Sequence, residues 1–162
     1  MTRQTTLRGA RRALALLLAV LFACGTLETW GAAAEDTGLT YWDPVKKKNC
    51  TPEASVTEVA SSTDWVSGWY AVTQSDTITD RIQVTGTVNL ILCDGATLTG
   101  EKGIELAENN HLIIWNEKKN GSGKLIAGGE GTTPKCDAGI GGHGSVNCGA
   151  LTVYGEIGRA HV

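Results

Sequence analysis

The sequence predicts an all-β fold, a fragment of a right-handed parallel β-helix with an N-terminal β cap. Three observations carry this prediction: short apolar segments recur at a fixed spacing, glycines fall between them, and no stretch after residue 35 shows helical periodicity. The chain has 162 residues, 21 of them glycine, which is enough for one small domain. A β-sandwich is the alternative fold, since its strands also recur at intervals of about 8 to 12 residues.

The N-terminal segment predicts export. Four arginines precede the apolar run 13–24, and small residues at 31–34 follow it, which is the layout of a secretory signal peptide over residues 1–34. The run is too short for a bilayer core of about 30 Å, so no membrane span is expected. Cleavage after Ala34 is favoured over a lipobox-like alternative in which Cys24 would be acylated. We therefore expect a protein that is secreted or held at the cell surface.

Residues 35–75 are polar and rich in turn formers, and we expect them to be a cap or linker region. Such a cap would shield the strand edges and apolar column that an open coil end exposes. Within this region the lysine run 46–48 is typical of a solvated loop. The aromatic and β-branched segment 65–72 predicts a strand, a turn and a second strand.

Residues 76–155 carry the repeat that predicts the coils. Ile82 precedes the triplet 90–92 by eight residues, and Ile104 precedes the triplet 112–114 by eight, so the two copies are 22 residues apart. A third copy, Ile140 with the triplet 151–153, fits if two insertions precede its strands. Alternation then places one set of side chains in a buried column, namely Leu90, Leu92, Leu112, Ile114, Leu151 and Val153.

The C-terminal residues 156–162 resemble the translation of a sequencing-library adapter, so we exclude them from the fold. The repeat stops in mid-pattern at Tyr154, with no polar capping segment after it. We therefore expect truncated coils over 76–155 and further C-terminal domains of the same chain.

Several segments of the repeat region resemble a known group of proteins. They are the runs 88–99, 112–115 and 138–142, together with the Gly103-Ile104 start. These segments resemble exported surface proteins of gut Firmicutes that have a right-handed β-helix of the carbohydrate-binding-domain kind. The similarity covers about residues 40–155. It implies a non-catalytic secreted or cell-surface module that belongs to a larger adhesin-like protein and binds polysaccharide or a cell-wall or host glycan.

Two aromatic residues are the candidate ligand-binding site. Alternation along the strands places Trp115 and Tyr154, with Cys93, outside the column at equivalent places in successive coils. Neighbouring strands lie about 4.8 Å apart, so these side chains would form a ladder. Flat apolar rings with polar edges suit stacking against a sugar ring. The alternative is that these rings cover a loop or the missing remainder, which leaves a passive stalk as a further functional class.

Four cysteines follow the leader, and export permits disulfides between them. Cys136 and Cys148 flank a glycine-rich insertion and would close a short loop, which leaves Cys50 and Cys93 as the second pair. No two cysteines have the close spacing of a zinc knuckle, so neither a metal site nor a cofactor is expected.

Composition and spacing argue against two other functional classes. Residues 35–155 carry nine basic and fifteen acidic side chains, a poor balance for binding nucleic acid. A polysaccharide lyase, the enzymatic alternative, would need Arg81 beside a calcium-binding group made of Asp76, Asp80 and Asp94. Turn formation explains those three aspartates more simply, so we expect no catalytic activity.

Overall fold

The computed structural model describes residues 38–129, 131–132, 135–136, 138–142 and 147–154. These residues form strands and no helix, which confirms the all-β prediction. The predicted signal peptide 1–34, with Cys24, and the tail 156–162 lie outside the described residues.

The strands are short, apart from two long ones near the middle of the chain. In chain order they are β1 (Tyr41–Asp43), β2 (Lys48–Cys50), β3 (Val56–Glu58), β4 (Asp64–Val72), β5 (Asp76–Ile78), β6 (Ile82–Leu92), β7 (Thr97–Gly100), β8 (Ile104–Glu105), β9 (His111–Asn116), β10 (Lys124–Ala127), β11 (Gly131–Thr132), β12 (Lys135–Cys136), β13 (Ile140–Gly141) and β14 (Ala150–Tyr154).

Most of these strands belong to two parallel sheets. The larger has seven strands in the order β13-β8-β6-β4-β3, with β9 paired to β6 and β14 paired to β9. The smaller has three strands in the order β10-β7-β5. All pairs in both sheets are parallel, and the antiparallel strand pairs are the hairpins β1-β2 and β11-β12. The described strands thus combine all-β composition with parallel sheets.

The predicted 22-residue spacing is confirmed in both sheets. Thr77 on β5 pairs with Thr99 on β7 in the smaller sheet, and Ile82 on β6 pairs with Ile104 on β8 in the larger sheet. The third copy is also in the expected register, because Leu151 on β14 pairs with Leu112 on β9.

The predicted register between the first two triplets is wrong by two residues. Leu90 pairs with Ile114, and Leu112 pairs with Val88, so the offset on these strands is 24 residues. The reason is the turn 107–110, which separates β8 from β9, whereas β6 continues as one strand through the equivalent place. Because side chains alternate with a period of two, the shift leaves the same side chains facing the core.

The core lies beneath the larger sheet and contains most of the predicted column. Leu90 and Leu112 are fully buried, and Leu92 and Ile114 are 5% exposed. Leu151 is 44% exposed although it pairs with Leu112, so its predicted burial is wrong. Among the described residues, β14 pairs only with β9, and its other edge has no strand beside it to cover Leu151.

The strand, turn and strand predicted over 65–72 form a single strand, β4, with an irregular register between Val66 and Gly68. A bulge of this kind absorbs a glycine without reversing the chain. Together β3 and β4 extend the larger parallel sheet into the region predicted to be a cap.

Candidate functional site

Four aromatic rings form a cluster on the face of the larger sheet that is opposite the Leu90 column. We call Tyr41, Trp69, Trp115 and Tyr154 the aromatic cluster. Trp115 on β9 and Tyr154 on β14 pair directly in register, which places their side chains one strand spacing apart. Their ring centroids are 4.4 Å apart with an interplanar angle of 25°, so the structure brings the two predicted ligand-binding residues together as a stacked pair.

Trp115 lies between rings from the same chain. Tyr154 stacks against it, while Tyr41 lies 4.6 Å away at 54° and Trp69 lies 6.2 Å away at 24°. The indole Nε1 of Trp115 donates a hydrogen bond of 3.1 Å to the Asn89 side chain. Both faces and the polar edge of Trp115 therefore have intramolecular partners. Tyr154 is half-buried and stands at the end of the stack of described rings.

The β1-β2 hairpin covers this cluster through Tyr41, which is 6% exposed. Its turn is fixed by Asp43, whose Oδ1 accepts hydrogen bonds of 2.9 Å from the backbone N–H groups of Val45 and Lys46. The bond from the Lys46 N–H is the main cause that lowers the pKa of Asp43. The carboxylate thereby holds the turn that presents Lys47 and Lys48 to solvent.

A shallow concavity of about 360 Å³ lies along the hairpin. Its lining combines an aromatic ring with amide, hydroxyl, ammonium and carboxylate groups, from Tyr41, Lys46, Lys48, Asn49, Cys50, Thr51 and Glu53. Beside Tyr41 in β1, the half-buried Trp42 has the ammonium of Lys119 at 5.6 Å from its ring centroid. Sequence reasoning missed this hairpin as a site. The signal available was an aromatic pair, Tyr41-Trp42, immediately before a lysine run.

The prediction that Cys93 belongs to the outer ladder is wrong. The register places Ile91, not Cys93, opposite Trp115, and Cys93 is 6% exposed in the core. Neither predicted disulfide is closed, since Cys50, Cys93 and Cys148 are free thiols. Burial, followed by the nearby carboxylates of Glu117 and Glu58, raises the pKa of Cys93 to about 11.

The three free thiols should therefore react very differently with iodoacetamide at pH 8. Because the thiolate is the reactive species, a pKa of about 11 leaves roughly one Cys93 in a thousand ionised. We expect exposed Cys148 to be alkylated in the native chain and Cys93 only after addition of denaturant, as followed by peptide mass spectrometry. Alkylation of Cys93 as fast as Cys148 under native conditions would contradict the buried position.

The residues of the lyase alternative have separate partners. The Arg81 guanidinium donates to the backbone carbonyls of Lys102 at 2.8 Å and Gly141 at 3.3 Å, and its Nε lies 3.7 Å from a Glu105 carboxylate oxygen. Asp80 pairs with Lys102 at 3.3 Å. Asp76 accepts hydrogen bonds from the backbone N–H groups of Ser61 and Thr77, and Asp94 accepts from Ser122. Arg81 thus links neighbouring strand levels through backbone carbonyls.

Asp94 fastens the loop between β9 and β10 to the turn after β6. Its Oδ1 accepts hydrogen bonds from the Ser122 hydroxyl at 2.6 Å and the Ser122 N–H at 2.7 Å. Its Oδ2 lies 3.4 Å from the Lys118 ammonium, and the Ser122 hydroxyl accepts from the Gly95 N–H at 2.9 Å. These bonds, led by the one from the Ser122 hydroxyl, lower the pKa of Asp94 from 3.8 to about 2.

We expect this fastening to be lost in acid. A carboxyl group with a lowered folded pKa stabilises the fold fully above its unfolded value, and this contribution disappears as the pH falls from about 4 towards 2. A carboxyl NMR titration should give Asp94 a midpoint near 2. The Asp94→Asn variant should lose the corresponding part of the pH dependence of unfolding. A midpoint near 4 in the native chain would show that the Ser122 bonds do not form.

No family model, curated protein sequence or solved structure matches this chain. The resemblance to exported β-helix proteins therefore stays a prediction. In the part of the chain that the structure describes, no helix is long and apolar enough to cross a membrane. Within the same ranges, no three His, Cys, Asp or Glu side chains are grouped so that they could hold a metal ion.

Proposed function

We propose that the two parallel sheets are walls of successive coils of a right-handed parallel β-helix. The support is the shared 22-residue offset: the chain lies beside itself in the smaller sheet at Thr77 and Thr99 and in the larger sheet at Ile82 and Ile104. One circuit of a coil produces both pairings at once. Parallel pairing favours this fold over the β-sandwich alternative, whose sheets are antiparallel. The right-handed sense follows the general rule for parallel strand connections.

We further propose that this secreted or surface-attached module binds polysaccharide or a cell-wall or host glycan without catalysis, as part of a larger adhesin. The observation that carries the proposal is the stacked pair of Trp115 and Tyr154 on the outer face of the sheet. Stacking directs ring faces along the ladder, so the outer face of Tyr154 is the surface on which a sugar ring would continue the stack. The phenol hydroxyl supplies a polar edge for a sugar hydroxyl.

A glycan array probed with the purified chain tests this proposal. Tyr154→Ala removes the terminal ring and should weaken binding about tenfold, whereas Tyr154→Phe keeps the ring face and should retain most of it. The Tyr154 pair of variants is sharper than Trp115→Ala, because removing an enclosed ring would also disturb the aromatic cluster. Equal binding by the native chain and Tyr154→Ala would refute the platform. Release of unsaturated product from pectin with calcium would favour the lyase alternative.

A passive stalk is the second candidate, and one observation favours it. The intramolecular partners of Trp115 on both faces give the ladder a purely structural use, namely holding the hairpin against the sheet. On this alternative, every glycan of the array fails to bind while the chain keeps its β-sheet circular dichroism spectrum.

A further inference from the structure

The lysines of this acidic protein are concentrated at one place. Residues 35–155 carry fifteen acidic and nine basic side chains, yet five of the nine basic residues lie in two short segments, the hairpin turn 46–48 and the loop pair 118–119. The two segments meet at Trp42, since the Lys119 ammonium lies 5.6 Å from the Trp42 ring centroid. We call Lys47, Lys48 and Lys119 with Trp42 the cationic corner.

The lysines of the cationic corner are available to a ligand. The two neighbouring lysines are neutralised within the chain, because Lys46 pairs with Asp43 at 3.4 Å and Lys118 pairs with Asp94 at 3.4 Å. Lys47, Lys48 and Lys119 are exposed, and none forms an ion pair with a carboxylate among the described residues. Holding three unpaired ammonium groups close together costs electrostatic energy, which a bound anion would offset.

The corner adjoins a surface with the other groups that a sugar needs. Lys48 lines the concavity along the hairpin together with Asn49, Thr51 and Glu53, whose amide, hydroxyl and carboxylate can exchange hydrogen bonds with sugar hydroxyls. Glu53 is the carboxylate of this lining, and Tyr41 joins the concavity to the aromatic cluster. The volume of about 360 Å³ lies within the range of small ligand sites.

We propose that the cationic corner binds the acidic groups of an anionic polysaccharide, a polymer whose sugars carry carboxylate or sulfate. This inference rests on the proposed glycan binding and adds the charge class of the glycan. Exposed ammonium groups attract anions in a salt-dependent way, whereas hydrogen bonds in the concavity and stacking on aromatic rings select a sugar over a simple anion. A neutral glycan would leave the three ammonium groups uncompensated.

Isothermal titration of the full chain with four polymers tests the inference: polygalacturonate, dextran sulfate, neutral dextran and polyglutamate. We expect the two anionic polysaccharides to bind in 20 mM salt, to weaken as salt is raised to 200 mM, and to exceed neutral dextran. The double variant Lys48→Gln with Lys119→Gln should weaken polygalacturonate binding about tenfold. The charge-matched control, Lys102→Gln with Lys124→Gln, should change it less than about twofold.

The outcomes separate this inference from the proposed function. If neutral dextran binds as well as the anionic polymers and both double variants behave alike, the cationic corner is refuted while glycan binding stands. If polyglutamate binds as tightly as polygalacturonate, the corner attracts anions without recognising sugar, and the glycan inference is overturned. Equal or tighter binding to phosphatidylglycerol vesicles would overturn it in favour of an anionic membrane surface. Failure of every polymer to bind would refute both proposals.

Discussion

Replacing Gly103 by alanine is expected to unfold the chain or destabilise it by about 4 kcal/mol or more, among the largest effects of single substitutions. Gly103 has φ of +78°, in the left-handed region that favours glycine. A Cβ at this position would overlap the backbone carbonyl oxygens of Gly128 and Gly139, which come from two later segments of the chain. Backbone atoms cannot rotate away as a side chain can, so the strands on either side would have to separate.

Gly95→Ala is the matched control for this prediction. Gly95 has nearly the same φ, +79°, but a Cβ there meets no atom within 4 Å. Alanine at Gly95 should therefore show only the conformational cost of about 1 to 2 kcal/mol. Urea unfolding followed by circular dichroism gives both values. If the two variants lose the same stability, the close approach of three chain segments at Gly103 is wrong.

Replacing Trp65 by alanine is the second change with a large expected effect. Trp65 is fully buried, its indole Nε1 donates to the Ser62 carbonyl at 3.1 Å, and its ring stacks on Tyr70 at a centroid distance of 5.8 Å. Truncating a buried tryptophan to alanine destabilises a domain by about 3 to 5 kcal/mol. Since small domains have a total of about 5 to 15 kcal/mol, we expect a large loss of folded protein at 37 °C.

Val66→Ala, at the next position on the same strand, controls for β4 itself. Val66 is 59% exposed and lies on the other side of the strand, so its truncation should cost less than about 0.5 kcal/mol. Thermal melts of the two variants measure the difference. A Trp65→Ala variant as stable as Val66→Ala would mean that β4 is not part of the core.

The coil spacing was predictable from the sequence only as far as residue counting allows. The offset between Ile82 and Ile104 follows directly from the repeat. The offset between the apolar triplets does not, because the turn 107–110 inserts two residues without changing which side chains face inward. The same two residues explain why Cys93 was expected outside and is buried. An apolar pattern with a period of two is unchanged by a shift of two.

The candidate site was predictable in part for a similar reason. Trp115 and Tyr154 end equivalent strands, so a correct register between β9 and β14 was enough to bring them together. The hairpin is different, because Tyr41 reaches Trp115 through a contact between residues far apart in the sequence. Its strands have three residues each and are held by an Asp43 turn, a local feature that gives no information about where the hairpin packs.

The most direct test of the coiled arrangement is a set of interstrand nuclear Overhauser effects on the labelled chain. We predict backbone contacts between Thr77 and Thr99 and between Ile82 and Ile104, one in each sheet and both at an offset of 22 residues. We also predict contacts between Leu90 and Ile114 rather than between Leu90 and Leu112. Contacts that run in the antiparallel sense between consecutive strands, as in a sandwich, would contradict the parallel coils and the functions proposed on them.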